Sequence, residues 1–329
     1  MIKVYPDISV VIPVKNEAAK IRACIEGILS QTVPVLEIIV IDSGSTDGTI
    51  EILKSYDIVK LLQIPSSEFN HGETRNYGVR HASGDFVILT VGDARPFDND
   101  WIKNLLDGFD DPSVAAVCGQ QVCPHEIDKN PIQWFRPVSA PVVKKYSFTK
   151  GEFWALSPEQ KKAACSWDDV NAMYRLSVLR QIPFQKTSYC EDAIWAREAL
   201  LAGHTIVYNT AARVFHYHSE SMDFTFKVCL TGMYFKYKYM DYIYPAPSFE
   251  LRKHLSTVKT LLKTKNIGIK EKWNWFLYNV NQYKAGKNAY EVFVTALAKG
   301  EEELDEIHQQ LCGKPPIPVK QTAHEPAIS

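Results

Sequence analysis

The chain has 329 residues, 46% hydrophobic and 23% charged, with a formal net charge of −1. That mixture suits a sizeable buried core in one large domain or two modest ones. It argues against a chain that holds nucleic acid by charge, which needs a large basic excess. No run reaches the roughly 18 consecutive apolar residues of a membrane-crossing helix.

No charged leader and cleavage site precede the first strand-like segment, and the cysteines are odd in number and scattered. Reduced thiols and a cytosolic location are therefore expected. Cys118 and Cys123 are spaced too widely for the usual zinc pair, and no second Cys/His pair follows at finger distance.

In chain order, Ile8–Val14 reads as an apolar strand, residues 16–31 as a helix and 36–42 as a second strand. A helix over 47–56, a strand over 59–64, a helix over 72–82 and a strand over 86–91 continue the alternation. Strands this apolar are covered on both faces, so the expected fold is α/β with a doubly wound, mostly parallel sheet. Residues 124–166 have weak periodicity and mixed aromatic, Pro and Lys content, as an irregular lid would. A helix is expected from Glu191 through 202, then separate strands at 205–208 and 213–216. The domain reading is 1–222, divided at 123 into nucleotide-sugar and acceptor parts, then a helical region over 223–312 and a disordered tail over 313–329.

Open α/β sheets bind ligands beyond the carboxyl ends of their strands. There the first strand runs into Pro13-Val-Lys-Asn-Glu17, the second into Asp42-Ser-Gly-Ser-Thr-Asp-Gly-Thr49, and the fourth into Gly92-Asp93-Ala-Arg-Pro96. No glycine-rich turn follows the first strand, which excludes dinucleotide and P-loop signatures. Asp42 is placed to accept hydrogen bonds from a ribose or a base, with Ser43 opening the loop, whereas Asp47 reads as a helix cap. Asp93 is either a turn residue or a ligand for a divalent cation carrying phosphate charge. His216 and His218, alternate residues at a strand end, could complete that site or be structural histidines. Glu191 and Asp192 could complement a helix dipole or supply a general base. His71, Arg75 and Asn76 gather at a helix start, a grouping suited to anions. Trp167, Asp168 and Asp169 suit an acceptor sugar, although a core edge explains Trp167 equally well.

Together these strings resemble inverting glycosyltransferase family 2, of GT-A fold, over residues 7–222. The opening Val10-Val-Ile-Pro-Val-Lys-Asn-Glu17 and Ile39-Val-Ile-Asp-Ser-Gly-Ser-Thr-Asp-Gly-Thr49 carry the family resemblance. The stretches 69–76, 89–96 and 214–218 are similar to bacterial rhamnosyltransferases of surface polysaccharide (O-antigen or capsule) synthesis. The resemblance implies that Pro13, Glu17 and Asp42 line a nucleotide pocket and that Asp93 holds a metal-diphosphate. It also implies His71 and Arg75 beside the phosphates and Asp192 as catalytic base. Val91-Gly92-Asp93 stands where many members pair two Asp, and where the rhamnosyl branch has Thr-Gln-Asp, leaving metal requirement and donor sugar open.

The implied cofactor is Mg²⁺ or Mn²⁺, and the implied partners are a nucleoside-diphosphate sugar and a saccharide or lipid-linked saccharide acceptor. Aromatic and lysine-rich strings at 234–240 and 270–276 suit peripheral association at the inner face of the plasma membrane, or packing on the catalytic domain. The rival readings are a sugar nucleotidyltransferase, whose basic glycine-rich loop is missing, and a non-catalytic scaffold subunit.

Overall fold

The strongest local signal, alternation of apolar strands with amphipathic helices, produces the first half of the molecule. In the computed structural model, which describes residues 5–126, 128–134, 140–247, 251–265 and 267–313, β1 (Ile8–Val14), β2 (Glu37–Asp42), β3 (Val59–Gln63) and β4 (Phe86–Leu89) are parallel. Helices α1 (Ile21–Leu29), α2 (Thr49–Leu53) and α3 (His71–His81) connect them. Successive residues point to opposite faces. Val10, Ile12, Ile38 and Val40 pack with Ile21, Ile25 and Ile28 of α1, whereas Val11, Ile39 and Ile41 pack with Val79 of α3. Both faces are thus covered, as continuous apolar strands require.

The second half departs from local expectation. It comprises β5 (Arg95–Pro96), α4 (Trp101–Leu106), β6 (Val114–Val122), α5 (Pro131–Trp134), β7 (Val143–Tyr146), α6 (Lys150–Ala155) and α7 (Pro158–Ala164). Next come β8 (Ala172–Arg175), α8 (Leu176–Gln181), α9 (Glu191–Leu201) and β9 (Thr205–Phe215). The sheet has nine strands among the described residues, in the order β3-β2-β1-β4-β8-β6-β9-β5, with β7 also on β9. β8 runs antiparallel between β4 and β6, while β6 and β9 point the same way as the first four. Six strands therefore share one direction, and the order turns back beside β1, opening a crevice past the ends of β1 and β4.

Three expectations are corrected here. The irregular stretch 124–166 contains α6 and α7, each opened by a capping box, Thr149 with Glu152 and Ser157 with Gln160. The two strands near 205 and 213 are one strand whose pairing with β6 shifts register between Cys118 and Gln120. The helix expected from 16 starts at Ile21, because Asn16 takes a left-handed φ of 56° and its amide N–H donates to Ser45 Oγ at 2.8 Å.

The C-terminal region is helical: α10 (Met222–Met240), α11 (Leu251–Lys263), α12 (Ile269–Leu297) and α13 (Glu301–Cys312). Tyr234, Phe235, Tyr239 and Met240 of α10 join the same buried cluster as Tyr174 and Trp195. The string 234–240, considered for a membrane surface, is therefore core. Beyond Gly313 the expected tail lies outside the described residues. No described helix is long and apolar enough to cross a membrane.

Candidate active site

The loops after β1, β2 and β4 meet because their polar atoms bind one another. Asp42, buried, accepts from the backbone N–H groups of Gly44 and Ser45 at 3.0 and 3.1 Å, shaping the β2 loop. Asp47 accepts from Thr49 N–H at 3.1 Å and from Ala18 N–H at 3.0 Å, stitching that loop to the one after β1. Gly92 lets the end of β4 approach: a Cβ there would meet Val14 Cγ1 at 2.9 Å and Glu17 Cγ at 3.1 Å. The result is a cleft of about 420 Å³ whose lining includes Pro13, Glu17, Ser43, His71, Gly92 and Asp93. Burial, then the charge of Asp93, raises the Glu17 carboxyl above its ordinary range.

On the cleft floor Asp93 meets His216 Nε2 at 3.5 Å, His218 Nε2 at 3.2 Å and Lys20 Nζ at 3.1 Å. Burial alone would raise the Asp93 carboxyl. The hydrogen bond and charge of His216, with Lys20 and His218, reverse this and hold it well below the carboxylate range. The ligand atoms of Asp93, His216 and His218 all lie within 4.8 Å of one another. Gln121 orients His216: its Nε2 donates to Asp168 Oδ2, and its Oε1 lies 2.7 Å from His216 Nδ1. An amide oxygen only accepts, so Nδ1 of His216 carries a hydrogen and the ring turns its Nε2 towards Asp93. Asp93 already accepts from Lys20 Nζ, and His218 Nε2 lies 2.9 Å from His216 Nε2. One carboxylate and two imidazoles are nonetheless ligand types that suit a divalent cation, and the Gln121 amide fixes the His216 ring as the partners of metal-bound imidazoles do.

A second cavity, about 460 Å³, adjoins the first at His71 and is lined by Gln121, Trp167, Asp168, Glu191, Asp192 and Lys236, among others. Cys190, at a left-handed φ of 59°, turns the chain into α9 so that Glu191 and Asp192 occupy the first turn. Arg75 of α3 reaches across: its Nη1 donates to Glu191 Oε1 at 2.6 Å, and its Nε lies 3.5 Å from Asp169 Oδ2. Asp169 also accepts from Tyr174 Oη. One guanidinium thus pairs with two carboxyls, with the Asp192 carboxyl crowded beside them. Burial first, then Glu191 and Asp169, push the Asp192 carboxyl well up. Burial likewise raises Asp169, against the pull of Arg75.

Not every expected site residue faces a cavity. Asn76 binds the Phe184 backbone through both amide atoms, at 2.9 and 3.0 Å. Asp42 and Asp169 are buried behind the loops they brace. Trp167 is largely core, its Nε1 donating to Tyr174 Oη at 2.7 Å, with one edge in the second cavity. Sequence reasoning missed Lys15, Lys20, Gln121 and Lys236. The two lysines were signalled by their place just past β1, whereas Gln121 and Lys236 carry no local signal. Lys236 Nζ donates to Tyr244 Oη at 2.8 Å.

The family model for glycosyl transferase family 2 matches residues 9–181. The O-antigen chain rhamnosyltransferase RfbN of Salmonella typhimurium is 33% identical over 219 residues, 64% of this chain and 67% of that one. The O-antigen chain rhamnosyltransferase WbaN of Salmonella anatum is 31% identical over 222 residues, 65% of this chain and 67% of that one. Among solved structures, S. aureus TarS in complex with UDP-GlcNAc covers 93% of this chain and 80% of its own, with a TM-score of 0.53 and 15% identity. That last likeness is one of fold, the GT-A glycosyltransferase fold.

Proposed function

As the chain belongs to glycosyl transferase family 2, we propose that it moves a sugar, with inversion at the anomeric carbon, from a nucleoside-diphosphate sugar to a saccharide or lipid-linked saccharide acceptor. The observation that carries this reading is the pair of cavities meeting at His71, one floored by Asp93, His216 and His218, the other by Asp192. Bacterial surface polysaccharide synthesis at the cytosolic side is the setting, and dTDP-rhamnose is the favoured donor on the likeness to rhamnosyltransferases of O-antigen chains.

In this mechanism Asp192 takes a proton from the attacking acceptor hydroxyl, and its raised carboxyl makes it a stronger base than a surface aspartate. Arg75 holds Glu191, which keeps the first turn of α9 in place. Asp93, His216 and His218 would hold a divalent cation, Mn²⁺ suiting the mixed carboxylate and imidazole set better than Mg²⁺. Such a cation supplies Lewis-acid stabilisation of the departing nucleoside diphosphate. Lys15 and the N-terminal end of α3 at His71 add positive potential to the same cleft.

The test is nucleoside diphosphate release from a panel of UDP-, dTDP- and GDP-sugars, with Mn²⁺ or Mg²⁺, by wild type and Asp192→Asn. Release from one donor class, depressed in the variant, supports a working transferase. Silence with every donor would leave a scaffold of the same fold as the better reading.

A further inference from the structure

All four buried residues of α12, Ala285, Ala289, Phe293 and Ala296, lie in its second half, against α10 and α13. Its first turns instead lie beside α11 as a helical hairpin, α11 packing on α5 as well. Apolar side chains that should be inside stand outside there: Ile269 is 89% exposed, Leu262 71%, Leu255 60% and Trp273 59%. Their spacing is that of helix faces, 255, 258 and 262 on α11 and 269, 273 and 277 on α12. Between them lies an apolar groove of about 270 Å³, and Trp273 stacks on Phe276 with ring centroids 5.5 Å apart.

The charge around this face has one sign. Residues 251–277 carry seven Lys or Arg and a single acid, Glu271, in a chain whose net charge is −1. Glu271 is turned back to cap its own helix at Gly268 N–H. Lys259, Lys263, Lys265 and Lys270 are exposed beside the apolar side chains. A protein partner with mixed charge would call for mixed charge here, and a second copy of the chain would bring a like-charged face against it. A sheet of anionic headgroups over acyl chains matches both features, since lysines snorkel to headgroups while Trp, Ile and Leu enter the boundary region.

We propose that the α11–α12 hairpin is a docking surface for an anionic bilayer. It seats the protein in the interface plane without spanning it. The inference stands on this surface alone and holds whichever sugar nucleotide the crevice takes.

The test is co-sedimentation of the full chain with phosphatidylcholine vesicles with and without phosphatidylglycerol. The expected result is binding to the anionic vesicles that weakens with salt. Leu262→Ser with Trp273→Ser should abolish it, and Lys259→Gln with Lys263→Gln and Lys270→Gln should weaken it about a hundredfold. Both variants should keep wild-type melting temperatures and nucleotide-induced stabilisation, which separates loss of docking from loss of fold or of transferase function. The proposal is overturned if the vesicles fail to bind wild type, if neutral and anionic vesicles bind alike, or if the face proves to be covered by a second copy, seen as wild-type dimers that Trp273→Ser dissolves.

Discussion

The two cavities use opposite electrostatic strategies. In the β1–β4 crevice, the buried side chain of Asp93 is balanced by groups at the cleft surface, two imidazoles and the half-exposed ammonium of Lys20. Behind the neighbouring cavity the charges are balanced inside the protein, with buried Arg75, which also lines the crevice, between Glu191 and Asp169. A site balanced by groups that solvent reaches is completed by what binds it; a site balanced internally is set before anything arrives. Binding should therefore fail when the first is altered, and chemistry or folding when the second is.

The largest effect should come from Arg75→Met. It strands Glu191 and Asp169 without their cation, a change worth about 3–5 kcal/mol of stability at a buried pair, read by urea denaturation. A loss below about 1 kcal/mol, the scale of an exposed pair, would mean that the two cavities do not differ in this way. Asp192→Asn should lower turnover about 10³-fold, within the usual span for a general base, while nucleotide-induced stabilisation persists. If that variant loses nucleotide binding instead, Asp192 belongs to the first cavity.

Gln121→Ala should leave folding intact and weaken cation affinity by about 10- to 100-fold, the usual cost of losing the partner that orients a metal-bound imidazole. Calorimetric titration with Mn²⁺ measures it. The smallest effect is on pH dependence. Because Asp192 must be ionised to act and its carboxyl is raised, the acid limb of the rate profile should lie above the ordinary carboxylate range. Asp169→Asn removes a neighbouring like charge and should move that limb down. For stability the sign is set by burial, which outweighs the pull of Arg75 on Asp169. Asp169 is raised in the folded state, so it stabilises when protonated and that contribution is lost as pH climbs towards neutrality. A melting temperature that does not fall over that range in wild type, or falls equally in Asp169→Asn, would contradict the assignment.

The same division explains what the sequence could tell. The first cavity is built from loops that directly follow their strands, so Pro13, Glu17, Ser43, Gly92 and Asp93 were legible as polar residues past apolar runs. The second is braced from behind by contacts across the chain: Arg75 and Glu191 are 116 residues apart, Asn76 and Phe184 108 apart. Nothing local marks such partners. β8 is only four residues long, and β6 mixes small residues with Gly119 and two glutamines, so neither has the apolar density of β1. The helices in 124–166 were legible in principle, since Thr149-x-x-Glu152 and Ser157-x-x-Gln160 are capping-box strings. The aromatic strings of the C-terminal region look alike in sequence, yet Tyr234 and Phe235 are core while Trp273 and Ile269 are exposed. Only the packing of α10 separates them.

The proposed transferase chemistry requires the crevice to take a nucleotide together with a cation at Asp93. Thermal melts of wild type and Asp93→Ala with UDP, dTDP, GDP and their sugars, each with and without Mn²⁺, test this directly. Ligand at about 100 times its Kd should stabilise the folded chain by about 2.7 kcal/mol. Such a rise is expected for one nucleotide class in wild type, dependent on Mn²⁺ and lost in Asp93→Ala. An unchanged transition with every nucleotide, or the same rise in Asp93→Ala, would contradict that requirement.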